Sequence, residues 1–204
     1  MFSGTNPVGQ PTGATTQYQT TQSGWNPPPP TTTPTQGTYG QDQYGSTQGG
    51  TRGYPINLIA NDFRRPVDYN ALRLQTRLAG MGINNTTDLL SRCNTPAKRS
   101  FVINTIAAFD SQLGSDQVRQ YLNNWIGMAD LARTGMPVDT ARLLQASGIY
   151  DAPSVARYFA PMDKLALYGT MTQNAMQFGY RLPNFQEFAA QVDAARTLPM
   201  AIRW

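Results

Sequence analysis

The body of this chain contains the same short phrase twice. Leu78 to Ile83 reads Leu-Ala-Gly-Met-Gly-Ile, and Leu144 to Ile149 reads Leu-Gln-Ala-Ser-Gly-Ile. One constant offset places Leu78, Gly82, Ile83 and Lys98 on Leu144, Gly148, Ile149 and Lys164, and Leu89 on Val155. Lys98 and Lys164 are the only lysines in the sequence. Upstream, Pro-Val-Asp occurs at Pro66–Asp68 and again at Pro137–Asp139, at a different distance from the Gly-Ile pair, so one intervening helix is the longer. Such a repeat restricts the fold, because each copy is one supersecondary unit that must bury its apolar face on its neighbour. Each unit reads as turn, helix, glycine stop, isoleucine, short helix. Gly82 and Gly148 suit the left-handed position past a helix C-terminus. Ile83 and Ile149 then plug the core, and Thr86 and Asp151 start the next short helices.

The remaining periodicity is helical. Thr95-Pro96 reads as an N-cap followed by proline at the first helical position. Phe101, Val102, Ile106 and Phe109 follow at helical spacing. Ser115 and Asp116 open a helix with Val118, Leu122, Trp125 and Ile126 on one side. Asn184 and Glu187 have capping-box spacing ahead of Phe188 and Val192. No segment alternates as a strand does. The expected fold is all-α: two tandem units, over residues 54–114 and 115–204, forming one compact helical body.

Residues 1–53 differ. They are built from Thr, Gln, Gly, Pro, Ser and Tyr, include Pro27-Pro28-Pro29-Pro30, and hold one charged residue before position 51, Asp42. Too few aliphatic side chains are present to offset the entropy of ordering the chain, so this segment is expected to be a disordered tether. Tyr18, Trp25, Tyr39 and Tyr44 punctuate it in the manner of weakly self-associating low-complexity segments.

Composition excludes several chemistries. With no histidine and a single cysteine, Cys93, the chain has no Ser-His-Asp or Cys-His site, no zinc cluster and no internal disulfide. Cys93 falls on a core-like position equivalent to Phe159. Glu187 is the only glutamate, and the aspartates stand mostly isolated at cap-like positions, which disfavours a two-metal site. Gly80-Met81-Gly82 ends a helix instead of following a strand, so it is not a dinucleotide site. Met162, Leu165, Tyr168, Met171, Met176 and Phe178 read as core or interface. The expectation is therefore no catalysis, no cofactor and no small-molecule substrate. No stretch approaches the ~18 apolar residues of a membrane span. Met1-Phe2-Ser3-Gly4 has neither a basic nor an apolar run, so a cytoplasmic location is expected.

The segments Asn124–Leu131, Ala141–Leu144 with Gly148-Ile149, Leu182-Pro183-Asn184 and Leu198-Pro199 resemble a bacterial helix-hairpin-helix family of unknown function (domain-of-unknown-function family 4332). Gly82-Ile83, Thr86–Leu90 and Thr95–Arg99 resemble it too, and the likeness runs over roughly residues 56–199. It implies an all-helical fold of two such units with no established activity. Relatives by fold bind DNA backbone without sequence preference or act as protein-interaction domains.

A phosphate-binding hairpin needs a Gly-hydrophobic-Gly turn that leaves backbone N–H groups free at a helix N-terminus. The second turn, Thr134-Gly135-Met136-Pro137-Val138-Asp139, keeps one glycine and replaces the other by proline, which has no N–H. The first, Phe63-Arg64-Arg65-Pro66-Val67-Asp68, keeps neither. Asp68 and Asp139 are both expected to be N-caps that occupy the free N–H groups with a negative charge. Basic residues elsewhere, namely Arg64, Arg65, Arg73, Arg77, Lys98 and Arg99, form a candidate stripe for DNA backbone or an acidic partner. The net charge is +4. The favoured function is a protein-interaction or assembly module, with a protein partner or self-association. The alternative is sequence-independent nucleic-acid binding.

Overall fold

The computed structural model describes residues 53–204. The expected disordered tether lies outside the described residues, apart from Gly53. The two glycine stops set the frame of the body. Gly82 and Gly148 sit at φ 75° and 81°. Ile83 N–H donates to Leu78 O at 2.9 Å, and Ile149 N–H donates to Leu144 O at 2.9 Å. Gly82 and Gly148 donate to Ala79 and Gln145 in the same register. This matched pair of C-terminal turns satisfies the last carbonyls of each helix and sends both isoleucines into the core.

Around these turns run α1 (Ile56–Ala60), α2 (Tyr69–Gly80), α3 (Thr86–Cys93) and α4 (Pro96–Phe109) in the first copy. The second copy supplies α5 (Ser115–Ala132), α6 (Val138–Ala146), α7 (Ala152–Val155) and α8 (Pro161–Phe178), and α9 (Phe185–Thr197) follows. Among the described residues the only β-pairing is a single bridge between Pro55 and Asn85. The fold is all-helical, and the described residues belong to one compact unit.

Local chemistry explains the starts. Thr95 Oγ1 accepts from Lys98 N–H with Pro96 at the first helical position. Asn184 and Glu187 complete their capping box. Asp151 caps α7 through Ser154 N–H. In the first copy the equivalent cap is Asn85, accepting from Asp88 N–H, and Thr86 is the first helical residue, buried instead of capping. The short polar Asn85 reaches the orphan N–H from one position earlier than expected.

Helix α5 is the central element and packs on α1, α3, α4, α6 and α7. Val118, Leu122, Trp125 and Ile126 are buried on it as the periodicity requires. Gly127 lets it ride over the α6–α7 turn, where an added Cβ would lie 2.2 Å from Tyr150 O. α8 packs on α6, and α9 on α7 and α8. The C-terminal strand of chain crosses back over the body. Ile202 is buried, Arg203 N–H donates to Asn94 O at 2.9 Å and Trp204 Nε1 to Asp151 Oδ2 at 2.7 Å.

Two expected faces are corrected. On α4 the core stripe is Arg99, Val102, Ile103 and Ile106, while Phe101 and Phe109 point to solvent. This helix is apolar around much of its circumference, so spacing alone admits both ladders. Cys93 is buried, but Phe159 is exposed beneath the Arg196 guanidinium, 5.3 Å from its ring centre. The short α7 ends before the repeat equivalence reaches it.

Candidate functional site

The two Pro-Val-Asp turns, far apart in sequence, meet in space. The first turn leaves α1 at Asn61 and enters α2 at Asp68. Asp68 Oδ1 accepts from Asn70 and Ala71 N–H at 3.0 and 3.1 Å, the expected N-cap, and Tyr121 donates its hydroxyl to the other oxygen. The second turn passes Gly135 at φ 82° and enters α6 after Pro137, which offers no side-chain cap. Asp139 is not the cap that its place in the repeat suggests. It lies inside the first turn of α6, buried, and accepts the Arg64 guanidinium fork at 3.1 and 2.8 Å. A parallel two-bond fork is the strongest geometry that an arginine offers a carboxylate.

Arg142 completes this clasp. Its Nη2 donates to Leu58 O at 2.9 Å and Asn61 O at 2.7 Å, closing the last carbonyls of α1. Its Nη1 lies 3.7 Å from Asp139 and 3.9 Å from Asp62. Tyr180 donates its hydroxyl to Asp62, and Arg181 N–H donates to Asp139 at 3.2 Å. Burial alone would raise the Asp62 carboxyl, but the Tyr180 hydroxyl, the Arg64 N–H and the charges of Arg142 and Arg65 hold it below the ordinary carboxylate range. Burial lowers the Arg142 guanidinium against the opposing pull of Asp62 and Asp139. Arg142, Asp62 and Tyr180 come from three distant segments and carry no local periodic signal, so sequence reading did not single them out.

The six candidate basic residues do not form one stripe. Arg64 and Arg65 surround the clasp, Arg65 reaching Asp62 at 3.3 Å. Arg73 and Arg77 share a face of α2 as expected, but both turn to Asp110, at 3.3 and 3.0 Å. Burial would raise the Asp110 carboxyl, yet Arg77, the Gln112 N–H and Arg73 together hold it low. Lys98 donates to Ser91 O at 2.8 Å. Arg99 is buried, donates to Cys93 O and Arg203 O at 3.2 and 2.7 Å, and stacks 5.2 Å from the Trp204 ring centre. Burial pushes the Cys93 thiol up to about 11, which makes it an inert core group.

What the first turn presents outward is apolar. Phe63 is 83% and Val67 62% exposed, and Tyr69 stands beside them in sequence at the start of α2. Ala60, Phe63, Pro66, Val67 and Leu72 line an open groove of about 570 Å³ edged by Asp62, Arg65 and Asp68. Met136 of the second turn is by contrast fully buried. Among the described residues no three His, Cys, Asp or Glu side chains group as metal ligands. No helix among them is long and apolar enough to cross a membrane.

These features define an all-helical body of two related units joined through their turns by a partly buried arginine–carboxylate clasp. The chain belongs to the family described as Domain of unknown function (DUF4332), whose model matches residues 72–198. No curated protein and no solved structure matches it.

Proposed function

We propose that the body is a non-catalytic protein-interaction or assembly module, made of two degenerate helix-hairpin-helix units, that works in the cytoplasm with the low-complexity N-terminal segment as its tether. One observation carries this reading: the first turn offers solvent the side chains of Phe63 and Val67, while its arginines are engaged by Asp139 and Asp62. Exposed apolar side chains around a groove, rimmed by polar groups, favour a protein partner. A phosphate site would need free amides and uncommitted cations at the same place. Asp68 takes the α2 amides, and Pro137 lacks the N–H that the second turn would have to supply.

The second reading is sequence-independent binding of DNA backbone. It is favoured by the net charge of +4 and by the partial exposure of Arg65, Arg73 and Arg77. Affinity capture with the full chain from a nuclease-treated lysate separates the two. A protein partner retained after nuclease and lost with Phe63→Ser plus Val67→Ser is the expected result. Partners that vanish with nuclease, together with a salt-dependent duplex titration that weakens on Arg65→Ala, would establish the second reading instead.

A further inference from the structure

The cations of the first copy are matched unevenly. Arg64, Arg65, Arg73 and Arg77 each reach a carboxylate, and Arg99 is buried against backbone carbonyls. Arg92 and Lys98 reach no carboxylate among the described residues. Lys98 donates only to Ser91 O, and Arg92 makes no hydrogen bond or ion pair there. Both line one open groove of about 430 Å³ past the C-terminal end of α2. Met81, Ile83, Phe101 and Val102 give it an apolar floor, and no acidic residue lines it.

Two features of this groove work against the stability of the body by itself. Lys98 sits in the first turn of α4, at the positive end of the helix dipole, where a cation is unfavourable, and no acid in that turn offsets it. Phe101, one turn further along the same side of the helix, is 68% exposed, while Val102, Ile103 and Ile106 fill the core. One kind of occupant relieves both: a carboxylate beside Lys98 and an apolar side chain over Phe101. We propose that this groove binds an acidic peptide segment of another protein, with one large apolar anchor on Met81 and Phe101 and flanking Asp or Glu side chains on Arg92 and Lys98. The anchor supplies the buried contact, and the opposed charges fix its register and reject basic competitors.

The chain's own N-terminal segment does not match this site, because Asp42 is the only acid before α1 and two cations have to be met. A nucleic acid would match the charges through its phosphates but would leave Met81 and Phe101 without an apolar partner. The inference rests on the reading of the body as a protein-interaction module and adds a second contact to it. The Phe63 groove lies at the N-terminal end of α2, and this groove lies beyond the C-terminal end of the same twelve-residue helix, ~18 Å further along.

Fluorescence anisotropy with the full chain tests it. The probe is a short labelled peptide of Asp and Glu around a central Leu-Phe pair. Wild type binds it with a dissociation constant on the order of 10–100 μM, and binding weakens as salt rises. Lys98→Glu and Arg92→Glu each lower the affinity by at least about ten-fold. Lys98→Glu melts no lower than wild type, because an acid suits the first turn of α4, so its loss of binding is not a loss of fold. Phe101→Ser, at an exposed position, lowers the affinity by about five-fold. Phe63→Ser plus Val67→Ser leaves it unchanged. Four results each overturn the proposal: no binding by wild type at near-millimolar concentration; equal affinity for a peptide with Lys in place of its acids or Ser in place of Leu-Phe; unchanged affinity in Lys98→Glu; or tighter binding of a short DNA duplex through the same two cations. Partner capture through Phe63 and Val67 would survive the first three, so the failure of this site and the failure of the module reading are separable.

Discussion

The two Pro-Val-Asp turns hold equivalent places in the repeat and do opposite things. The second is tight: Gly135 turns it, Met136 plugs the core and Asp139 is buried. The first is longer, capped by Asp68 and bristling with exposed apolar side chains. It is tied inward by Arg64, which crosses to Asp139 of the other turn, and by Asp62, which accepts from Tyr180 and lies beside Arg142. Between the same two copies, the glycine stops at Gly82 and Gly148 have kept matching geometry. Both copies need that stop to close a helix and seat an isoleucine, whereas a connecting turn is free to diverge once a clasp holds it. The outward face of the first turn is therefore where a function can sit.

A large effect, of the size of deleting a buried aliphatic side chain, should come from Gly127→Ala. The new methyl group would lie 2.2 Å from Tyr150 O, a backbone atom of the α6–α7 turn, so α5 and that turn must part at a cost of about 3 kcal/mol. Urea denaturation measures it, and a loss below ~1 kcal/mol would show that the second copy is looser than described.

The matched stops are sharpened by Ile83→Ala and Ile149→Ala. Both delete buried side chains and should cost ~2–5 kcal/mol, with Ile83 the more costly because it is the more enclosed. Equal tolerance of both would leave the repeat without a shared core. Next in size is Asp68→Ala, which removes the α2 cap and costs about 1 kcal/mol. The corresponding change at Asp139 acts through Arg64 and Arg142 and not through a cap, so Asp139→Ser does not rescue it as Asp68→Ser rescues α2.

Acid titration gives the smallest and most graded effect. Asp62, Asp68 and Asp110 are all held below the unfolded carboxylate value. Their contribution is complete above pH ~4 and is lost as the pH falls through their folded values. Tyr121, pushed up to about 12 by burial and by Asp68, does the reverse. Stability should decline from about pH 10 upward as the unfolded phenol ionises first. Thermal melts across pH check both arms, and Asp68→Asn should flatten each.

The parts legible in sequence were those written in neighbouring residues. The glycine stops, the Thr95-Pro96 start, the Asn184–Glu187 box and the buried side of α5 follow from local spacing and capping chemistry. The two sides of α4 were not separable, because Phe101 and Phe109 make as good a ladder as Val102 and Ile106. The candidate site was half visible. Pro66, Asp68, Gly135, Pro137, Asp139 and Arg64 were singled out, but as two separate turns and a basic stripe. That Arg64 spans between the turns depends on how α1 and α6 pack, and Asp62, Arg142 and Tyr180 join only once they do.

The central claim is that Arg64 and Asp139 clasp the two units together, and a double-mutant cycle measures it most directly. Arg64→Met, Asp139→Asn and the double variant are unfolded in urea beside wild type. Arg64 is 35% exposed, so solvent discounts the pair below a fully buried one. The coupling expected is about 1–2 kcal/mol, with the double variant less damaged than the sum of the two single ones. Strict additivity would contradict the clasp and return Arg64 to the pool of surface cations open to a nucleic acid.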